Sequence, residues 1–395
     1  MAISSSANII VDPGGDLVLL LNPTIRNSSK SDSSSSANPV ATGSKMIRSL
    51  QGEISETSQH EPTPIYSDHI LVSSKHMSLA SPIFKAMLQG GFREAITLKE
   101  IGRLEVPLPD DHPAAMKILI NMIHGRMNSI PLRIDLKLFT WIAILVDKYR
   151  CAEVIGPYPS IWKMDLQDWT NSSSDVARWL CIAWQFELHE EFLRATKLIQ
   201  LQSTCDLETT IAKLRYNLPI PKKVTDKIEM CRQEGIRKAV KFLENFITMY
   251  QKSDNRCTAR TIPEIEYKDT TRRDLYGSYG YPRRPIDDQS KQISFLNYDE
   301  VVSYRRDCDS MLLGSLTKSL IEHGLFPLPP SPYTSWSIKY LRQRIELLEA
   351  SSLCSRLLET SVVRHDVIDG LKKSVRTISV LGLTLKDGKK LVSNK

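Results

Sequence analysis

The feature that most constrains this chain is one block, Ile70-Leu-Val-Ser-Ser-Lys-His-Met-Ser-Leu-Ala-Ser-Pro-Ile-Phe-Lys-Ala-Met-Leu88, closed by Gly90-Gly91. Ile70, Leu71 and Val72 form a short apolar strand, and Ser73-Ser74-Lys75 is a polar corner that ends it. Two short helices follow. The second is fully punctuated: Ser81 can accept a backbone N–H as its cap, Pro82 sits where a missing N–H costs nothing, and the paired glycines stop it. Ile83/Met87 and Phe84/Leu88 are each four apart, so two apolar rows share one broad face. A strand, a corner and a helix pair in so few residues point to an α+β fold, and nothing in the block carries chemistry.

The flanks extend the pattern. Asp16-Leu-Val-Leu-Leu-Leu21 is an apolar strand after the tight turn Asp12-Pro-Gly-Gly15. Leu104, Val106 and Leu108 alternate in a third strand, where Pro107 argues for a sheet edge. A helix then runs from His112 to His124, with Asp111 as the expected cap, Pro113 near its first position and Gly125 as stop. Asp110-Asp111 is therefore assigned to capping and not to a catalytic carboxylate pair. The next helix, Asp135 to Tyr149, is apolar almost all round and so belongs in a core.

This order resembles a BTB/POZ domain, and within that family its fungal branch. The resemblance rests on the paired strands, the Ser-Ser-Lys corner, Leu79-Ala-Ser-Pro-Ile-Phe84, Leu108-Pro-Asp-Asp111 and Ile144-Leu-Val-Asp-Lys-Tyr-Arg-Cys151, and it spans residues 8–162. The chain departs from the animal pattern at Ser73-Ser74, where an Ala-His pair is usual. The resemblance implies a short sheet with flanking helices. It also implies a role in protein–protein assembly, either with a second copy or with a cullin scaffold as a ubiquitin-ligase substrate adaptor. The contacts it suggests lie on the second helix and its exit: Lys85, Met87, Leu88, Phe92 and Glu94, of which Met87 and Leu88 are equally explained as core.

Residues 22–66 interrupt the strand pair with a Ser-, Thr- and Pro-rich insertion that includes Ser33-Ser-Ser-Ser36. It has too few apolar residues to offset ordering and is expected to be disordered. A hairpin tip tolerates it, since each doubling of loop length costs only about 0.6 kcal/mol. Residues 165–251 then read as a helical region, similar to the BACK-like extension that family members carry. Ser172-Ser-Ser-Asp175 starts one helix, His189–Ile199 gives another, and Pro219 and Pro221 introduce a long one over Lys222–Gln251.

Residues 252–300 are expected to be a flexible connector. Its segment Arg272–Arg284 interleaves Arg, Tyr and Gly, which can suit single-stranded RNA but carries no RNA-binding fold around it. A C-terminal helical module over 301–390 holds a helix at Asp307–His323, a proline-rich crossing to Ser337, and amphipathic helices marked by Ile338/Leu341/Ile345 and by Leu371/Val375/Ile378. The tail resembles the module that accompanies fungal BTB domains. The basic end Lys386–Lys395 is too short to be assigned as a nuclear signal.

No phosphate-binding loop, HExxH or GxSxG elbow occurs, so no enzymatic activity is expected. Gly90-Gly91 is assigned as a helix stop because Phe92-Arg93 does not look like a helix start. Seven cysteines stand without any CxxC, which suits free thiols in a reducing compartment. Cys257, Cys308, Cys354 and His365 could make a tetrahedral Cys₃His set, but their spacing is long and irregular. The expectation is therefore no cofactor, with the cysteines serving as small core residues.

The net charge of +7 is spread over interspersed signs and selects no polyanion. No basic patch followed by an apolar core opens the chain, and the apolar run at Leu138–Val146 is too short for a bilayer. The whole reads as an intracellular, mostly helical α+β protein that meets other proteins, itself or a cullin included. No membrane partner is expected. A nucleic-acid-associated regulatory scaffold that oligomerises through the BTB-like domain is the alternative.

Overall fold

The computed structural model describes residues 7–24, 65–166, 172–214, 216–252, 256–260, 262–267, 291–356 and 367–393. The chain divides into two compact units, 1–169 and 170–395.

The first unit holds a sheet of β1 (Ile9–Ile10), β2 (Leu17–Thr24), β3 (Ile65–Val72) and β4 (Leu104–Pro107), in the order β1-β3-β2-β4. β2 and β3 pair antiparallel, with Leu17 opposite Val72, Leu19 opposite Ile70 and Leu21 opposite Asp68; β1 and β4 each join in parallel at an edge. Leu17, Val18 and Leu19 are all fully buried, so β2 begins covered on both faces. Gly15 makes this start possible, because a Cβ there would sit 2.6 Å from the Val72 carbonyl oxygen. The strands run further than the sequence suggests: Asn22–Thr24 and Ile65–Tyr66, assigned to the insertion, belong to the hairpin. The rest of the insertion lies outside the described residues.

Among the described residues, six α-helices accompany this sheet: α1 (Ser74–Ala80), α2 (Pro82–Gln89), α3 (Arg93–Ile101), α4 (Pro113–Ile123), α5 (Leu136–Tyr149) and α6 (Tyr158–Met164). Ser81 is the joint between α1 and α2. Its buried hydroxyl accepts the Phe84 N–H at 3.1 Å and donates to the Tyr149 carbonyl at 2.7 Å, fixing the helix pair to the end of α5. Stacking of Phe84 on Tyr149, 4.6 Å between ring centroids, closes the same corner.

Two expectations are corrected here. α4 is capped by His112, whose Nδ1 accepts the Ala115 N–H, while Asp111 turns inward. There Asp111 receives the Tyr149 hydroxyl and lies 2.6 Å from Lys148 Nζ. A carboxylate with two strong donors at hand is worth more buried than as a cap. Phe92-Arg93 does open a helix, α3, but without any side-chain cap, so the sequence offers no start signal.

The second unit contains α7 (Ser173–Gln185), α8 (His189–Gln202), α9 (Leu207–Ala212), α10 (Lys222–Gln251), the antiparallel pair β5 (Pro263–Tyr267) and β6 (Lys291–Phe295), then α11 (Tyr298–Glu322), α12 (Ile338–Glu346), α13 (Val367–Arg376) and α14 (Leu385–Ser393). Ile236, Val240 and Leu243 of α10 pack in one core with Leu316 and Leu320 of α11, Leu341 and Ile345 of α12, and Leu371 and Val375 of α13. The stretches 165–251 and 301–390 thus share a core. Gly235 faces α12, and the end of the Ile338 side chain occupies the place a Cβ there would take.

Arg232 is buried in α10. It pairs with Glu229 at 2.7 Å and donates to the carbonyls of Trp336 (2.8 Å) and Ser203 (3.3 Å), which pins the proline-rich crossing to the helix body. The connector expected at 252–300 includes β5 and β6, and α11 starts nine residues before Asp307. Its start is an Asn297/Glu300 capping box. Residues 386–393 of the basic tail lie in α14, which buries Leu385. Among the described residues, no helix is long and apolar enough to cross a membrane.

Candidate functional site

The residues suggested as contacts separate when placed on α2 and α3. Lys85 is exposed and Met87 half-buried. Leu88 is only 5% exposed, in the row that Phe84 turns toward α5, and so belongs to the core and not to a contact surface. Phe92 is 59% exposed, and Glu94 is half-buried.

The larger feature is α3 itself. It lies on α2 and β4, yet none of its nine residues is buried. It holds out Ile96 (51% exposed) and Ile101 (58%) beyond Phe92. Phe92 and Ile96 are four apart and share a row, and Arg93, Lys99 and Glu100 supply exposed charge around them. Ile96 and Ile101 escaped the sequence reading because the glycine pair obscured the helix. The Phe92/Ile96 spacing was the available signal. Exposed apolar anchors inside a mixed-charge surround make a surface suited to protein contact, with no chemistry attached.

The Ser73-Ser74 corner is closed by structural bonds. Asp16 takes the Ser74 N–H at 2.8 Å and its hydroxyl at 2.7 Å. His124 accepts the Ser73 N–H through Nε2 at 3.0 Å, and its Nδ1 lies 2.9 Å from the Ile120 carbonyl, which fixes the neutral tautomer protonated at Nδ1. Burial holds His124 below the usual imidazole range, with nearby His76 and Arg126 acting in the same direction and the Ile120 bond and Asp12 opposing. Burial likewise lowers His112, against the pull of Asp135. Asp110 is exposed while Asp111 is buried, so these carboxylates do not work as a pair. Burial and the adjacent Asp111 push the Tyr149 hydroxyl far up, and it stays a donor.

In the second unit the fold gathers three distant cysteines. Cys257 follows α10, Cys308 is on α11, and Cys354 opens a single 3₁₀ turn at Cys354–Arg356. All three are buried; Cys354 Sγ lies 3.4 Å from Cys257 Sγ and 3.5 Å from Cys308 Sγ. No disulfide joins them. Asp309 orients the 256–260 segment, its Oδ2 accepting the N–H of Arg256 at 2.5 Å and of Cys257 at 3.3 Å. Arg305 Nε adds a bond to the Ala259 carbonyl at 2.6 Å. Burial raises the Cys354 and Cys257 thiols, so both are neutral in the absence of a cation. Among the described residues, these are the three His, Cys, Asp or Glu side chains whose ligand atoms come together closely enough to hold a metal ion. His365, the fourth member of the set considered from sequence, lies outside the described residues, as does the Arg272–Arg284 segment.

No family model matches the chain, and no curated protein matches it.

Proposed function

We propose that the first unit is a BTB/POZ-type interaction domain and that the chain is a non-enzymatic adaptor, binding a cullin-type ubiquitin-ligase scaffold through the α3 face. The helical second unit is then the place to look for a substrate receptor. The observation that carries this reading is α3, a helix with no buried residue and with Phe92, Ile96 and Ile101 presented outward. Support also comes from the β2–β3 hairpin, the parallel edge strand β4, and the helix pairs α1/α2 and α4/α5, which follow the order the resemblance implies.

The test is affinity capture of the full chain from its own cells, with quantitative mass spectrometry of what co-purifies. Enrichment of a cullin and its RING partner is the expected outcome. Recovery of the chain alone, or of chromatin and RNA factors, retires the adaptor reading and leaves an oligomerisation scaffold for another task.

A further inference from the structure

We propose that Cys257, Cys308 and Cys354 hold a zinc ion that staples the segment after α10 and the 3₁₀ turn at Cys354 to α11. The first reason is convergence: Cys257 and Cys354 are 97 residues apart and Cys308 and Cys354 are 46 apart, yet the three sulfurs meet in one buried cluster. The second is spacing. Zinc–thiolate bonds of about 2.3 Å in tetrahedral geometry place neighbouring sulfurs roughly 3.8 Å apart, so sulfurs at 3.4 and 3.5 Å need move only a few tenths of an ångström.

The third reason is the size of the core around them. Its buried residues, among those described, are Cys257, Ala259, Ile262, Val301, Cys308 and Cys354, half of them cysteines, with the partly buried Leu296, Tyr304 and Leu353 packed against them. Few apolar side chains hold these segments together, so a metal tie would add most to their stability here. A disulfide between Cys354 and either neighbour would serve only two of the three sulfurs.

The fourth reason lies just outside the sulfurs. The buried Tyr304 hydroxyl packs against this cluster, within hydrogen-bonding reach of the Cys354 thiol. A metal-bound thiolate at Cys354 is a stronger acceptor for that hydroxyl than a neutral thiol, and hydrogen bonds of this outer kind are what orient metal ligands. Asp309, whose Oδ2 ties down the backbone of Cys257, does the same for the loop. Three thiolates select a soft, thiophilic ion, and zinc is the redox-inert member of that class. The remaining coordination position falls to water or a further donor.

Zinc content of the full chain, purified under reducing conditions without chelator, is the first measurement. About one equivalent is expected, falling below about a tenth in Cys257→Ser, Cys308→Ser and Cys354→Ser but kept in Cys205→Ser and Cys231→Ser. Because the three serine variants can lose zinc merely by misfolding, the wild-type chain is also stripped and titrated with cobalt. Thiolate-to-cobalt charge transfer and the d–d bands of a tetrahedral sulfur site are then expected. Alkylation of Cys257, Cys308 and Cys354 should appear only after chelation. Zinc below about a tenth of an equivalent with no cobalt–thiolate absorption overturns the proposal. So does a Cys257–Cys354 disulfide in the reduced preparation, full zinc in all three variants, or iron or copper in its place.

Discussion

Two helices of the first unit, α5 and α3, make opposite use of apolar residues. α5 buries Phe139, Ile142, Ala143, Leu145, Val146 and Tyr149, and its last residue anchors both Asp111 and the Ser81 joint. α3 and the Phe92 that precedes it carry comparable side chains in Phe92, Ile96 and Ile101, and bury none of them. Burial of a large apolar side chain is worth about 1.5–3 kcal/mol, a gain that α5 collects in folding and α3 leaves uncollected. A helix that contributes little to the core while exposing three large apolar groups has its stabilising surface available to a partner. On the proposed reading, that contrast separates scaffold from contact surface.

The comparison breaks most readily from the α5 side. Phe139→Ala removes a fully buried ring that meets Trp162 edge-on, and should cost about 3–5 kcal/mol in urea unfolding of the first unit. A loss below about 1 kcal/mol would show that α5 is not the central packing element. Asp111→Ala is expected to cost about 2 kcal/mol, because it strands the buried Tyr149 hydroxyl while Lys148 can turn to water. Tyr149→Phe with an equal loss would place the cost on the carboxylate's side of that bond instead.

A smaller effect is expected with pH. His112 and His124 each accept a backbone N–H through a ring nitrogen, which only the neutral ring can do. Burial sets both below their unfolded value near 6.5, so the unfolded state binds protons first. Their contribution is present above that value and is lost as pH falls through the lower folded one. The urea midpoint should drop between about pH 7.5 and about pH 5.5, less steeply in His124→Gln. An unchanged slope would remove His124 from the account.

Much of this architecture was legible in the sequence where local chemistry and fold agree. Ser81-Pro82 marked α2, the apolar run from Asp135 to Tyr149 marked α5, and Pro219/Pro221 marked α10 to within a residue. Alternation with Pro107 placed β4 at an edge. What failed lacked local punctuation or had its meaning set by distant partners. α3 starts on Phe92 with no cap. Asp111 looks like a cap until Lys148 and Tyr149 arrive beside it. Arg232 reads as an exposed helix charge, yet it is buried because the carbonyls of Ser203 and Trp336 converge on it from far along the chain. The three cysteines follow the same rule: their irregular spacing hid a meeting that only the packing of α11 against two distant turns creates. The Asn297/Glu300 capping box was readable and was passed over.

The central claim is that the α3 surface serves contact and not folding, and Phe92→Asp, alone and with Ile96→Asp, tests it most directly when melting and capture are measured on the same preparations. Exposed substitutions of this kind change stability by no more than about 0.5 kcal/mol, so the melting temperature should move by about 2 °C at most while partner recovery falls at least about tenfold. A melting temperature lowered by more than about 5 °C, or partner recovery equal to that of the unsubstituted chain, would contradict it.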